Sequence, residues 1–126
     1  MQRRFRSTAL AALAGLMLAA CGDKVCTLQP RPAMLVHVRD SVTNAGIVGG
    51  TKLVIRDGTY GDSIVVAEIQ TGEGPMNLGE NRPGVYTLTV SKPGYRTWSR
   101  SSISVGHDDC GTTATDVVVL LQPIER

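Results

Sequence analysis

The stretch Gly84–Trp98, GVYTLTVSKPGYRTW, begins as a strand and ends in a turn. Tyr86, Leu88 and Val90 alternate with Val85, Thr87 and Thr89. A period of two puts the first set on one face of an extended chain and the second on the other. Lys92-Pro93-Gly94 then stops the run, because proline lacks a ladder N–H and glycine accepts turn conformations. The same alternation recurs in both directions along the chain. Met34, Val36 and Val38 oppose Leu35, His37 and Arg39. Leu53 and Ile55 oppose Lys52, Val54 and Arg56. DSIVVAEIQ (62–70) is a further run, and YRTWSRSSISV (95–105) reads as a long polar strand or a bent pair. TTATDVVVLL (112–121) sets Thr115, Val117, Val119 and Leu121 on one face. Segments rich in Gly, Pro, Asn and Asp separate these runs: SVTNAGIVGG (41–50), DGTYGD (57–62) and TGEGPMNLGENRPG (71–84). No segment after residue 20 shows an apolar period of 3.6. Short strands with turn residues between them predict an all-β sandwich.

The first twenty residues are of another kind. Arg3, Arg4 and Arg6 precede an uncharged run from Thr8 to Ala20. That run is shorter than the roughly 20 apolar residues a bilayer span requires. A basic start, a short apolar run and small residues before a cut site predict a cleaved signal peptide over residues 1–20. LAAC (18–21) resembles the lipobox of bacterial lipoproteins, in which a cysteine becomes the lipidated first residue. The resemblance implies lipidation at Cys21 and a membrane anchor through its acyl chains, two of which already hold stably. Asp stands at position 23, one place beyond the position that favours inner-membrane retention. The sorting rule therefore points to the outer membrane of a Gram-negative bacterium, with the domain in the periplasm or at the cell surface.

Removing the signal changes the charge argument. The chain has 13 basic and 11 acidic residues, and the signal holds three of the arginines and no acid. The remainder is close to neutral, so composition gives no support for nucleic-acid binding.

The order of the strands and turns resembles the carboxypeptidase regulatory-like domain over roughly residues 33–123. Three features carry the likeness: a strand ending in Asp and a polar turn (Val36 to Asn44), the strand Gly84 to Val90 followed by Gly94-Tyr95, and a Val-rich last strand ending in Pro (Val117 to Pro123). The resemblance implies a transthyretin- or prealbumin-like Greek-key sandwich of about seven strands. Residues 21–32 would form a lipidated tether ahead of it. An immunoglobulin-like sandwich is the alternative, but its Trp more often packs between paired cysteines. Here Trp98 stands only twelve residues before Cys110.

With Cys21 taken by lipid, Cys26 and Cys110 form an even pair in an oxidising compartment. In a fold of this type the segments before the first and last strands lie close enough to be bridged. The alternative is two free thiols.

Catalytic signatures are absent from the sequence. HDDC (107–110) matches no strong zinc spacing, and no Gly-x-Ser-x-Gly elbow occurs. One transthyretin-like family, 5-hydroxyisourate hydrolase, ends in Tyr-Arg-Gly-Ser, whereas this chain ends in QPIER. The expectation is a protein that is not an enzyme and has no metal, no cofactor and no evident small-molecule substrate. Arg96, Trp98 and Arg100 share one strand face, which absent a bulge is opposite to that of Ile103 and Val105. They form the candidate binding surface; Trp98 is either directed away from the core or, the reading favoured by the sequence, covers one end of the sandwich with the arginines as its solvated fringe. The function expected is a lipid-anchored, non-enzymatic envelope module that binds a protein or glycan at the membrane surface. The alternative is an accessory subunit of a larger envelope assembly with no ligand of its own.

Overall fold

The structure is a computed structural model that describes Cys26 and residues 29–124. Residues 1–20, where a signal peptide is expected, and Cys21 lie outside the described residues. Eight strands follow in order: β1 (Pro32–Asp40), β2 (Lys52–Asp57), β3 (Tyr60–Val65), β4 (Met76–Glu80), β5 (Gly84–Ser91), β6 (Trp98–Asp108), β7 (Gly111–Thr113) and β8 (Thr115–Leu121). They form a three-stranded sheet, β4-β1-β8, and a five-stranded sheet, β3-β2-β5-β6-β7. All neighbours are antiparallel except β1 and β8, which run parallel.

The core lies between the sheets and follows the alternation in the sequence. Met34, Val36 and Val38 from β1 meet Leu53 and Ile55 from β2, Tyr86, Leu88 and Val90 from β5, and Val117, Val119 and Leu121 from β8. Each of these side chains is buried. Fully burying a Val, Leu or Ile side chain contributes about 1.5–3 kcal/mol, so this one face accounts for much of the driving force.

The expected seven strands become eight for two reasons. First, β4 forms inside the Gly-, Pro- and Asn-rich segment that the sequence marks as a connection. Its one fully buried apolar side chain is Leu78, paired with Met34 of β1. Second, the last run is divided. Residues 111–113 pair with β6, and after Ala114 the chain crosses to the other sheet and pairs with β1. β3 also begins earlier than the run at Asp62, because Asp57 and Tyr60 close a tight hairpin around Gly58-Thr59.

β4 depends on Gly79. Its φ is +67°, and a Cβ there would stand 2.9 Å from the Ala33 Cβ and 3.2 Å from the Ile55 Cδ1. Its N–H donates to the Asp62 carboxylate at 2.9 Å, which ties β4 to β3 along one side of the sandwich. Gly79→Ala is therefore expected to destabilise the domain by about 2–3 kcal/mol, through left-handed strain plus overpacking. Urea unfolding should show this as a lower midpoint with an unchanged slope.

Candidate binding surface

The candidate residues lie near one end of β6, and a bulge decides where they point. Val90 pairs with Trp98 and Leu88 with Arg100, but Tyr86 pairs with Ile103. Two steps along β5 thus match three along β6, leaving an extra residue in β6. Ser102 takes up the irregularity at φ +59°, an uncommon conformation for a residue other than glycine. An extra residue reverses the parity of everything on one side of it. Trp98 and Arg100 therefore share the core-facing side with Leu88 and Val90. Of the two readings of Trp98, the structure gives the one in which it covers the sandwich: it is half-buried and packs against the core cluster. Arg100 faces the same way yet remains exposed. It stands at the open side of the sandwich, where β6 and β8 are neighbours across the two sheets.

Arg96 lies just before β6. Its N–H donates to the Gln122 carbonyl at 2.8 Å, and the Ile124 N–H donates to the Gly94 carbonyl at 2.9 Å. These bonds clamp the chain end against the turn after β5. Arg96 is exposed at the rim of two shallow grooves. One, of about 380 Å³, is lined by Arg96, Trp98, Leu120 and Gln122 together with Thr97 and Ser99. The other, of about 420 Å³, is lined by Ser41, Val42, Arg96, Gln122 and Pro123. Arg96 and Arg100 make no ion pair among the described residues. Leu120 and Gln122 were not legible as part of this surface, since only the crossing at Ala114 brings β8 beside β6.

The same end of the sandwich carries a polar clamp. Asp40, at the end of β1, is buried. Its Oδ1 accepts the N–H groups of Val42 (2.7 Å) and Thr43 (3.0 Å), and its Oδ2 accepts the Tyr95 hydroxyl at 2.7 Å. The Tyr95 hydroxyl and the two N–H groups hold the Asp40 carboxyl below its ordinary pKa. In turn the Asp40 carboxylate raises that of Tyr95. Two of the sequence features that resemble the regulatory-like domain, the Asp after the first strand and the Gly-Tyr turn, are thus hydrogen-bonded to each other.

The opposite end is tied covalently. Cys26 and Cys110 form a disulfide with their Cα atoms 5.1 Å apart. Arg31 Nη1 reaches both Asp108 carboxylate oxygens at 3.2 and 3.3 Å, and the Asn81 N–H donates to the Arg31 carbonyl at 2.8 Å. Beneath them the Tyr86 hydroxyl donates to the Arg82 carbonyl at 2.7 Å, and the Arg82 guanidinium lies 4.1 Å from the Tyr60 ring centre. With Cys110 in the bridge, HDDC has no thiolate to offer a metal. The described residues contain no group of three or more His, Cys, Asp and Glu placed to hold one. His37 lies on β1, its Nε2 3.9 Å from Asp116, while His107 lies near the far end of β6.

Residues 51–112 match the model of the PEGA domain family, just under half of the chain. This family is β-rich and found in extracellular and periplasmic proteins. The match runs through β2 to β7, and is to PEGA rather than to the carboxypeptidase regulatory-like domain whose motifs the chain resembles. No curated protein matches the chain.

Two outcomes follow from the clamps. The depressed pKa of Asp40 means that its stabilisation is complete above the unfolded value near pH 4 and is lost as pH falls through the folded value. The raised pKa of Tyr95 means that its share is complete below about pH 10 and is lost above it. Tyr95→Phe should lower the melting temperature most at neutral pH and flatten the acid limb of a Tm–pH profile. Reducing the disulfide, which closes a separation of 84 residues, should cost up to about 4–5 kcal/mol. Thermal melts with and without reductant measure this, and a non-reducing mass spectrum should find neither thiol free.

Proposed function

We propose that this chain is a lipid-anchored, non-enzymatic module of the bacterial cell envelope that binds a protein or glycan close to the membrane. The observation that carries the reading is the Cys26–Cys110 bridge. It fits an oxidising compartment, and it leaves only Gly22-Asp23-Lys24-Val25 between the bridge and the lipobox cysteine. The similarity of residues 51–112 to the PEGA domain supports an extracytoplasmic address. Our assignment to the outer membrane rests on Gly22 and Asp23, and our kinship with regulatory-like domains on the order of the three motifs. The groove beside Trp98, with Arg96 at its rim, is the surface we assign to binding. The position of Trp98 fits a supporting wall for that groove better than a free stacking platform.

The anchor is tested by growing cells that express the full chain with an alkyne-tagged fatty acid. The wild type should take up label and sediment with membranes. Cys21→Ser should lose both properties while keeping the Cys26–Cys110 bridge. Label persisting in Cys21→Ser, or absent from the wild type, would rule the anchor out.

A further inference from the structure

The register of the five-stranded sheet lays out its outer face. Lys52, Val54 and Arg56 of β2 stand on the side opposite to the buried Leu53 and Ile55. Ser63 and Thr89 flank Val54, Gly61 and Thr87 flank Arg56, and Val65 and Ser91 flank Lys52. Ser99 extends the row of Val54 beyond Thr89, and Ser101 lies beside Thr87. These hydroxyls pair loosely across the strands, Thr87 with Ser101 and Thr89 with Ser99, at 3.4 Å each. A hydroxyl offers one donor and two acceptor positions, so most of this hydrogen-bonding capacity is left over. Where Gly61 brings no side chain, the surface dips into a shallow hollow of about 420 Å³ beside Val54, Arg56 and Ser63.

The charge on this face has one sign. Lys52 and Arg56 are exposed and make no ion pair among the described residues. They stand about 13 Å apart along the strand. The two acids of β2 and β3 belong to the other side by parity, Asp57 with Ile55 on β2 and Asp62 opposite Ile55 on β3. Asp62, at the margin of the hollow, has both oxygens engaged: Oδ1 accepts the Ser63 N–H and Oδ2 the Gly79 N–H, each at 2.9 Å. β5 has no acid, and β6 has none before Asp108. The rings of Tyr60, Tyr86 and Trp98 pack toward the core, so the outer face lacks the aromatic platforms on which nucleic-acid bases stack. Rows of hydroxyls suit a partner rich in hydroxyls, and two unpaired cations suit one that is also anionic. A polymer of uronic acids carries both on every unit. We infer that this face binds an acidic polysaccharide, with carboxylates at Lys52 and Arg56 and ring hydroxyls over Thr87, Thr89, Ser99 and Ser101. The surface is separate from the groove beside Trp98. It rests on the glycan-binding function proposed above and narrows the ligand to a uronate polymer.

The test uses the full chain purified in detergent and oligogalacturonate. The same oligosaccharide with its carboxyls methyl-esterified, and polyglutamate, serve as comparators. In amide NMR the free acid should bind saturably and shift Val54, Arg56, Ser63, Thr87 and Thr89, with affinity falling as salt rises. The ester keeps every ring and loses the charges, and should bind at least about tenfold more weakly. Lys52→Gln and Arg56→Gln each change an exposed side chain and should each weaken binding about fivefold. If a variant fails to fold, the wild-type shifts and the ester comparison decide. Absence of saturable binding, equal binding of the ester, or unchanged affinity in both variants would overturn the inference. Polyglutamate binding as tightly at the same amides would also overturn it, while leaving an envelope module with a polypeptide ligand. Shifts confined to Arg96, Leu120 and Gln122 would remove this face and leave the groove beside Trp98 as the glycan site. Loss of all binding with the Cys21 label intact would remove the face and leave the anchor standing.

Discussion

β6 contains one residue more than β5 can match, and that surplus sets the character of the molecule's open side. Without it Trp98 and Arg100 would stand on the outer face of the five-stranded sheet, in line with Ser104. With it the indole joins the core cluster beside Val90, and Arg100 takes the same side of the strand while staying exposed. A half-buried Trp there offsets the absence of a strand between β6 and β8. The cost is an unfavourable backbone at Ser102 and a local break in pairing. Bulges that re-aim a side chain in this way are common at sheet edges and beside binding sites.

Much of this architecture was legible because alternation is a local property. Met34-Val36-Val38, Leu53-Ile55, Tyr86-Leu88-Val90 and Val117-Val119-Leu121 each declare a buried face without reference to any other strand, and each is buried. β4 was not legible, since a strand with one fully buried apolar residue beside a positive-φ glycine is defined by β1 and β3 rather than by its own pattern. The bulge was hidden for a related reason: a surplus residue exists only relative to a partner's register. That Trp98 and Arg100 share a side was visible in the spacing, but which side was not. The contribution of Leu120 and Gln122 required knowing that the chain changes sheets at Ala114.

The family match divides the molecule along the same boundary. The matched residues, 51–112, build nearly all of the five-stranded sheet and β4. β1 and β8 fall outside it, and they supply the parallel pair that completes the three-stranded sheet. The polar clamp of Asp40 and Tyr95 joins an unmatched segment to a matched one. The disulfide does so again at the other end, since Cys26 precedes the matched region and Cys110 lies within it.

That disulfide also determines how the domain carries mechanical load. Strand β1 runs about 30 Å from the bridged end to the Asp40 end, at roughly 3.3 Å per residue. A pull on the N-terminal segment does not have to travel that distance. At Cys26 the tension can pass through sulfur to Cys110 and continue into β7 and β8. Everything between the two cysteines, including β1 to β6, forms a side loop off this covalent path. If force enters at the N-terminal segment and leaves through the start of β8, the taut backbone is the few residues from Cys110 to Asp116. The sandwich then transmits tension while most of its hydrogen-bonded ladders remain unloaded.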